Sequence, residues 1–261
     1  MSLTVQDLRL VKSQRTLLDI PQLNLAAGRL HALLGPNGAG KSTLLGALAG
    51  LEHSVLRQVR LLGQPLSHWD TLDLARARAL LPQDNPVPFD FNVRDIVRMG
   101  RYPHSDQPHP REAHLVDEAL QLAGALHLVH QRYELLSGGE KARVHLARVL
   151  AQVWAHPDHP QERWLLLDEP TAALDLAHQH TVMRLLRELT QQGVGVIAVL
   201  HDINLAGAYA DQVLVMNQGR IDTMGECEQV LQPSLVERVW GVVCERLPRR
   251  DHAGRGWLAF S

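Results

Sequence analysis

Apolar and polar residues alternate from Leu3 to Leu10, the period-two pattern of a half-buried strand. A short apolar run from Arg29 to Leu34 breaks at a glycine-rich turn. A helical pattern then runs from about Lys41 to Ala49, with Gly50 as its stop. Val55 to Leu62 reads as another strand, turned by Gly63 and Pro65. Prolines at 82, 86, 88, 103, 108 and 110 then forbid any long element, leaving room for a short helix capped by Asn92 and Asp95 that runs through Met99. Arg111 to Ala123 carries Leu115, Ala119 and Leu122 at helical spacing, and Gly124 closes it.

Two continuous apolar runs follow, Trp164 to Leu167 before Asp168 and Val194 to Leu200 before His201. Runs without alternation fit parallel strands covered on both faces. Between them, Gln179 to Leu189 sets Val182, Leu185, Leu186 and Leu189 along one side of a helix. Strand, helix, strand in this order implies a right-handed crossover in an α/β sheet. The pattern is therefore an α/β unit, residues 1–85 and 161–261, split by a helical, proline-punctuated insertion over 86–160.

Composition narrows the function. The 261 residues carry a formal net charge of −2 with both signs interspersed, which argues against a nucleic-acid binder. No apolar run approaches the ~20 residues a membrane span needs, and the N-terminus has no signal-peptide pattern. Any membrane contact is expected to go through a partner. Cys227 and Cys244 have no metal or redox spacing and read as reduced thiols. His104, His109 and His114, widely spaced in a polar stretch, and the pair His178 and His180 read as solvated surface residues.

The chemistry concentrates in three places. Gly35-Pro36-Asn37-Gly38-Ala39-Gly40-Lys41-Ser42, followed by Thr43, fits the phosphate-binding loop between a strand and a helix. Its glycines let backbone N–H groups approach an anion, Lys41 reaches β- and γ-phosphates, and the Ser42 hydroxyl is a Mg²⁺ ligand. Asp168 ends an apolar strand, where open α/β sheets place ligands, and can hold Mg²⁺ through water. Its neighbour Glu169 is placed to orient and deprotonate an attacking water. Ser137-Gly138-Gly139-Glu140 has the capping-box pattern at the start of a helix through about Leu150 and offers a second anion-facing helix start. Two such starts in one chain suggest two surfaces closing on one nucleotide.

The ordered set GPNGAGKS, Gln83, LSGGE, LLLDEP, Ala173-Leu174-Asp175 and His201 resembles the ABC ATPases across nearly the whole chain. The resemblance implies a P-loop (RecA-like) α/β core with an antiparallel β portion and an inserted helical subdomain. It implies ATP as substrate with Mg²⁺, and a catalytic set of Glu169, His201 and Gln83. Gln83 would contact the γ-phosphate or its Mg²⁺, and His201 the γ-phosphate. Asp175 would lie at the seam of a homodimer in which LSGGE serves the opposite subunit's ATP. Family members commonly stack adenine on an aromatic residue ahead of the phosphate loop. Residues 1–34 hold no Phe, Trp or Tyr, leaving Val11 or Arg15 in that region.

The stretch NVRDIVRMGRYPH (92–104) is similar to ATPases of iron-siderophore, haem and cobalamin uptake. The proline-broken residues between Gln152 and Arg163, LDLAHQH and VLHDINLAGAYAD resemble the haem-importer branch. That likeness implies a homodimer docked on two permease chains at the cytoplasmic face of a bacterial inner membrane, fed by a periplasmic binding protein. Phe89 and Phe91 are candidates either to meet a permease helix or to pack under the helical insertion. Siderophore or cobalamin uptake stays open as cargo, and a soluble ABC ATPase of iron–sulfur assembly as the rival from another class.

Overall fold

The computed structural model describes residues 2–87, 90–154, 162–247 and 256–260. In chain order the elements are β1 (Ser2–Lys12), β2 (Arg15–Ala26), β3 (Leu30–Leu34), α1 (Lys41–Leu48), β4 (Val59–Leu61), β5 (Gln64–Pro65), α2 (Thr71–Ala77) and β6 (Arg78–Leu81). Three helices follow, α3 (Val93–Met99), α4 (Glu112–Leu122) and α5 (Gly138–Gln152). The chain then returns through β7 (Trp164–Asp168), α6 (Leu176–Gln191), β8 (Gly195–Val199), α7 (Ile203–Tyr209), β9 (Gln212–Asn217) and β10 (Arg220–Glu226). It ends in α8 (Cys227–Val230), α9 (Pro233–Trp240), β11 (Cys244–Leu247) and β12 (Trp257–Phe260).

A six-stranded sheet in the order β10-β9-β3-β8-β7-β6 forms the centre, parallel throughout except at β10. Both of its faces are covered, which is why β7 and β8 read as unbroken apolar runs. Leu165, Leu167, Val196 and Ala198 pack toward α3–α6, while Trp164, Leu166, Ile197 and Val199 pack toward α1 and the second sheet. That second sheet, β2-β1-β4-β5, is antiparallel. Its β1–β2 hairpin turns at Ser13 and Gln14, both left-handed at φ 48° and 63°, the twist a two-residue hairpin needs.

Several expectations change. Residues 55–62 are not one strand: a 3-10 turn covers His53–Val55, and the strand is only Val59–Leu61, paired to β1. His104 is buried, its Nε2 2.8 Å from the Gln152 carbonyl, because the Tyr102–His104 turn packs beside the end of α5. His180 bonds the Tyr209 hydroxyl at 2.8 Å and so ties α6 to α7. Phe91 is half-buried against the core around α3–α5, which is the packing alternative; Phe89 lies outside the described residues, as does most of the stretch between Gln152 and Arg163.

Candidate functional site

Parallel strands place their carboxyl ends on one edge, and four of the five here, β3, β8, β7 and β6, lead into the site. The loops leaving that edge carry Lys41 and Ser42 after β3, His201 after β8, Asp168 and Glu169 at the end of β7, and Gln83 after β6. The topology therefore gathers residues far apart in sequence into a row. Asn37 to Thr43, Gln83, Glu169 and His201 line one cavity of about 510 Å³.

The loop between β3 and α1 builds one wall. Gly40 caps α1 at φ 100°, where an L side chain is strained, and no side chain caps the helix start. The first N–H groups of α1 are thus left to the cavity, with no acidic residue in the first turn to compete for them. Lys41 is only 7% exposed, and its Nζ donates to the carbonyls of Gly35 (2.8 Å) and Pro36 (3.0 Å). Gly35 and Pro36 therefore act on the site by holding this lysine. Burial lowers the Lys41 pKa, opposed by the charges of Glu169 and Asp168.

The end of β7 is acidic. Asp168 is 6% exposed, and burial raises its pKa against the pull of the Ser42 hydroxyl. Its Oδ1 is buried with no hydrogen-bond partner. Next to it, the Glu169 Oε1 lies 2.6 Å from His201 Nε2. Glu169 also has a left-handed backbone (φ 53°) directly before Pro170, an unfavourable conformation of the kind that collects at functional sites. No residue pattern announces it.

Ser137, Gly138, Gly139 and Glu140 sit elsewhere. Ser137 Oγ accepts from the Glu140 backbone at 3.4 Å, and Glu140 Oε2 takes the Ser137 N–H at 2.8 Å and its hydroxyl at 2.7 Å, the expected capping box. These bonds hold the Glu140 carboxyl below its usual range. Gly138 faces open space, whereas a Cβ on Gly139 would meet the Ala173 carbonyl at 3.0 Å. The start of α5 thus rests on the loop that leads to Asp175, which caps α6 through the His178 N–H at 2.8 Å. Neither Ser137 nor Asp175 lines the 510 Å³ cavity.

Between the two groups lies a second cavity of about 320 Å³, lined by Gln83, Asn85, Tyr133, Gly138, His145, Asp168 and Glu169 among others. Sequence reading found Gln83, Asp168 and Glu169 but missed Asn85, Tyr133 and His145. Tyr133 Oη and His145 Nε2 are 2.6 Å apart in the interior, and Arg148 bonds Asn85 at 2.8 Å. The only sequence signal for them is the shared helical face of Lys141, His145 and Arg148 on α5.

The ABC transporter family profile matches residues 18–172. The hemin import ATP-binding protein HmuV of Pseudomonas aeruginosa is 43% identical over 252 residues, 96% of this chain and 97% of that one. Its counterpart from Plesiomonas shigelloides is 42% identical over 246 residues, 90% and 93% of the two chains. Among solved structures, an ABC transporter assigned to the metal-chelate type, in an inward-facing conformation, superposes with a TM-score of 0.78. It is 26% identical and covers 100% of this chain and 96% of its own. The cbiO1 subunit of the Clostridium perfringens cbiONQ transporter gives a TM-score of 0.72 at 30% identity, covering 90% and 92%.

Proposed function

The chain belongs to the ABC transporter family, and from that premise we propose that it is the ATP-hydrolysing subunit of a bacterial haem importer. The observation that carries the ATPase reading is the row of Lys41, Ser42, Gln83, Glu169 and His201 around one cavity at the carboxyl edge of the sheet. Haem as cargo rests on the curated relatives, which are named for hemin import.

In this reading the N–H groups from Asn37 to Thr43 and the Lys41 ammonium hold the β- and γ-phosphates of ATP. Ser42, Gln83 and Asp168 would hold Mg²⁺. The unpartnered, buried Asp168 Oδ1 beside the Ser42 hydroxyl fits a divalent cation, because a carboxylate oxygen out of water otherwise goes unsatisfied. An ion held by these residues would supply charge neutralisation at the phosphates. Glu169 orients and deprotonates the attacking water, and His201 both steadies Glu169 and reaches the γ-phosphate. Ser137, Gly138, Gly139 and Glu140 serve the ATP of an opposed copy, with Asp175 at the seam. Their absence from the lining of the first cavity supports completion by a second chain.

Residues 1–85 and 161–261 form the ATP-binding core, and 86–160 the subdomain that meets two permease chains at the cytoplasmic face of the inner membrane. Among the described residues, no helix is long and apolar enough to cross a membrane. Haem passes through the permease from a periplasmic binding protein and need not touch this chain. Reconstitution with the permease in liposomes tests the cargo. Haem-stimulated ATP hydrolysis and haem accumulation are expected. Stimulation by a siderophore or cobalamin, with none by haem, would replace the cargo and leave the ATPase assignment standing.

A further inference from the structure

Gln83 sits on a stretch without regular structure, Pro82 to Val87, between β6 and the helical insertion. A side chain on such a stretch moves freely unless something fixes the loop. Asn85 uses both ends of its side-chain amide for this. Its Nδ2 donates to the Pro82 carbonyl at 2.6 Å, closing a small ring with Gln83 inside it. Its Oδ1 accepts from Arg148 Nη2 at 2.8 Å.

Arg148 lies three helical turns beyond Ser137 on α5, about 16 Å along a stiff rod at ~1.5 Å per residue. Two more residues on the same face fix the register of that rod. His145 bonds the Tyr133 hydroxyl at 2.6 Å, and the Lys141 ammonium lies 5.2 Å over the Tyr133 ring. Lys141 and His145 of this face line the 320 Å³ cavity together with Gln83 and Asn85 of the glutamine loop and with Asp168 and Glu169. An ionised donor on a planar amide makes a short, directional bond, so the loop and the helix share one rigid joint.

We propose that Asn85 and Arg148 are positioning residues for ATP hydrolysis, joining the Gln83 loop to α5 so that Gln83 and the Ser137-Gly138-Gly139 helix start move as one body. The inference rests on the ATPase reading above and adds to it a specified joint. A shift of Gln83 at the nucleotide is delivered to α5 through the Asn85 amide, and the reverse holds by the same bond. Neither residue lines the 510 Å³ cavity.

The test is a double-mutant cycle on steady-state ATP hydrolysis by the full chain, with Asn85→Ala, Arg148→Ala and the pair. Each single change is expected to lower kcat about tenfold, with KM for ATP changed less than about twofold, and the pair no more than either alone. Asn85→Asp keeps the acceptor for Arg148 but loses the donor to Pro82, and should recover only part of kcat, between Asn85→Ala and wild type. Melting curves identify any variant that fails to fold. Should Arg148→Ala unfold, the two Asn85 variants on the loop still decide the matter. Multiplicative losses in the pair, an unchanged kcat for Asn85→Ala, or no recovery in Asn85→Asp would overturn the joint. Wild-type chain without ATPase activity would instead count against the functional reading.

Discussion

The two helix starts that look alike in sequence are physically opposite. α1 begins at a left-handed glycine with no side-chain cap, so its N–H groups point uncommitted into the 510 Å³ cavity. α5 begins with Ser137 and Glu140 already bonded to each other and to the helix, with a carboxylate in the first turn. An anion meets ready donors at the first and must displace internal bonds, against a negative charge, at the second. The lesson is that glycines and a helix start do not make equivalent anion sites. Commitment of the donors decides it, and the self-capped start suits a surface that engages only when a nucleotide is already presented to it.

The largest expected effect lies on the α1 side. Glu169→Gln should bind ATP yet lose about 10²–10⁴ in turnover, because it removes the base and keeps the neutral shape. Equilibrium binding together with single-turnover hydrolysis measures both. Near-normal hydrolysis would take Glu169 out of the catalytic set.

Acid should act on the α5 side. Burial, with Arg148 nearby, holds the His145 imidazole at about 4, below the ordinary 6.5. The unfolded chain therefore takes up the proton first. Stability is complete above about pH 6.5 and falls as pH drops toward 4, by up to ~3 kcal/mol from this group. Burial lowers His31 and His104 in the same direction. The drop in melting temperature between pH 6.5 and 4.5 should be smaller in His145→Gln than in wild type. Equal drops would show that other groups set the acid limit.

A paired substitution sharpens the contrast directly. Gly40→Ala forces a side chain into φ 100°, with its Cβ 3.2 Å from Leu18, and should cost about 1–2 kcal/mol as well as ATP affinity. Ser137→Ala should cost about 1 kcal/mol of stability through the lost cap, leaving ATP affinity of the dilute single chain unchanged. If both variants weaken single-chain binding equally, the two starts are not distinct. The smallest effect concerns the base. Val11 is half exposed near the hairpin turn, and residues 1–34 offer no aromatic ring, a platform worth ~1–3 kcal/mol elsewhere. ATP and GTP should then differ by less than about tenfold in turnover. A strong ATP preference that survives Arg15→Ala would reveal another residue that reads the base.

Much of this site was legible because its motifs combine local geometry with local chemistry. The phosphate loop, the acidic end of β7 and the capping box each lie within a few residues of chain. The apolar runs of β7 and β8 were legible for a related reason, since burial on both faces writes itself into every position. What escaped depends on distant partners. β6 is four residues long and exists because it pairs with β7 in register from Arg78–Trp164 to Leu81–Leu167. β2 alternates as β1 does, but Pro21 interrupts its pattern in the middle and hides the strand. Asn85–Arg148 and Tyr133–His145 join residues whose spacing carries no signal, and the left-handed Glu169 is a backbone property that residue type does not encode.

The position of β3 has a consequence for biosynthesis. This strand, at Leu30–Leu34, lies between β8 and β9, whose first residues are Gly195 and Gln212. At ~5–20 residues per second, a ribosome delivers those partners roughly ten to thirty seconds after β3 emerges. The β1–β2 hairpin can close at once, and α3–α5 can collapse together next. The strand that carries the phosphate loop waits beside them with both edges unpaired. During that interval the edges of Leu30 to Leu34 are open to pairing with another strand.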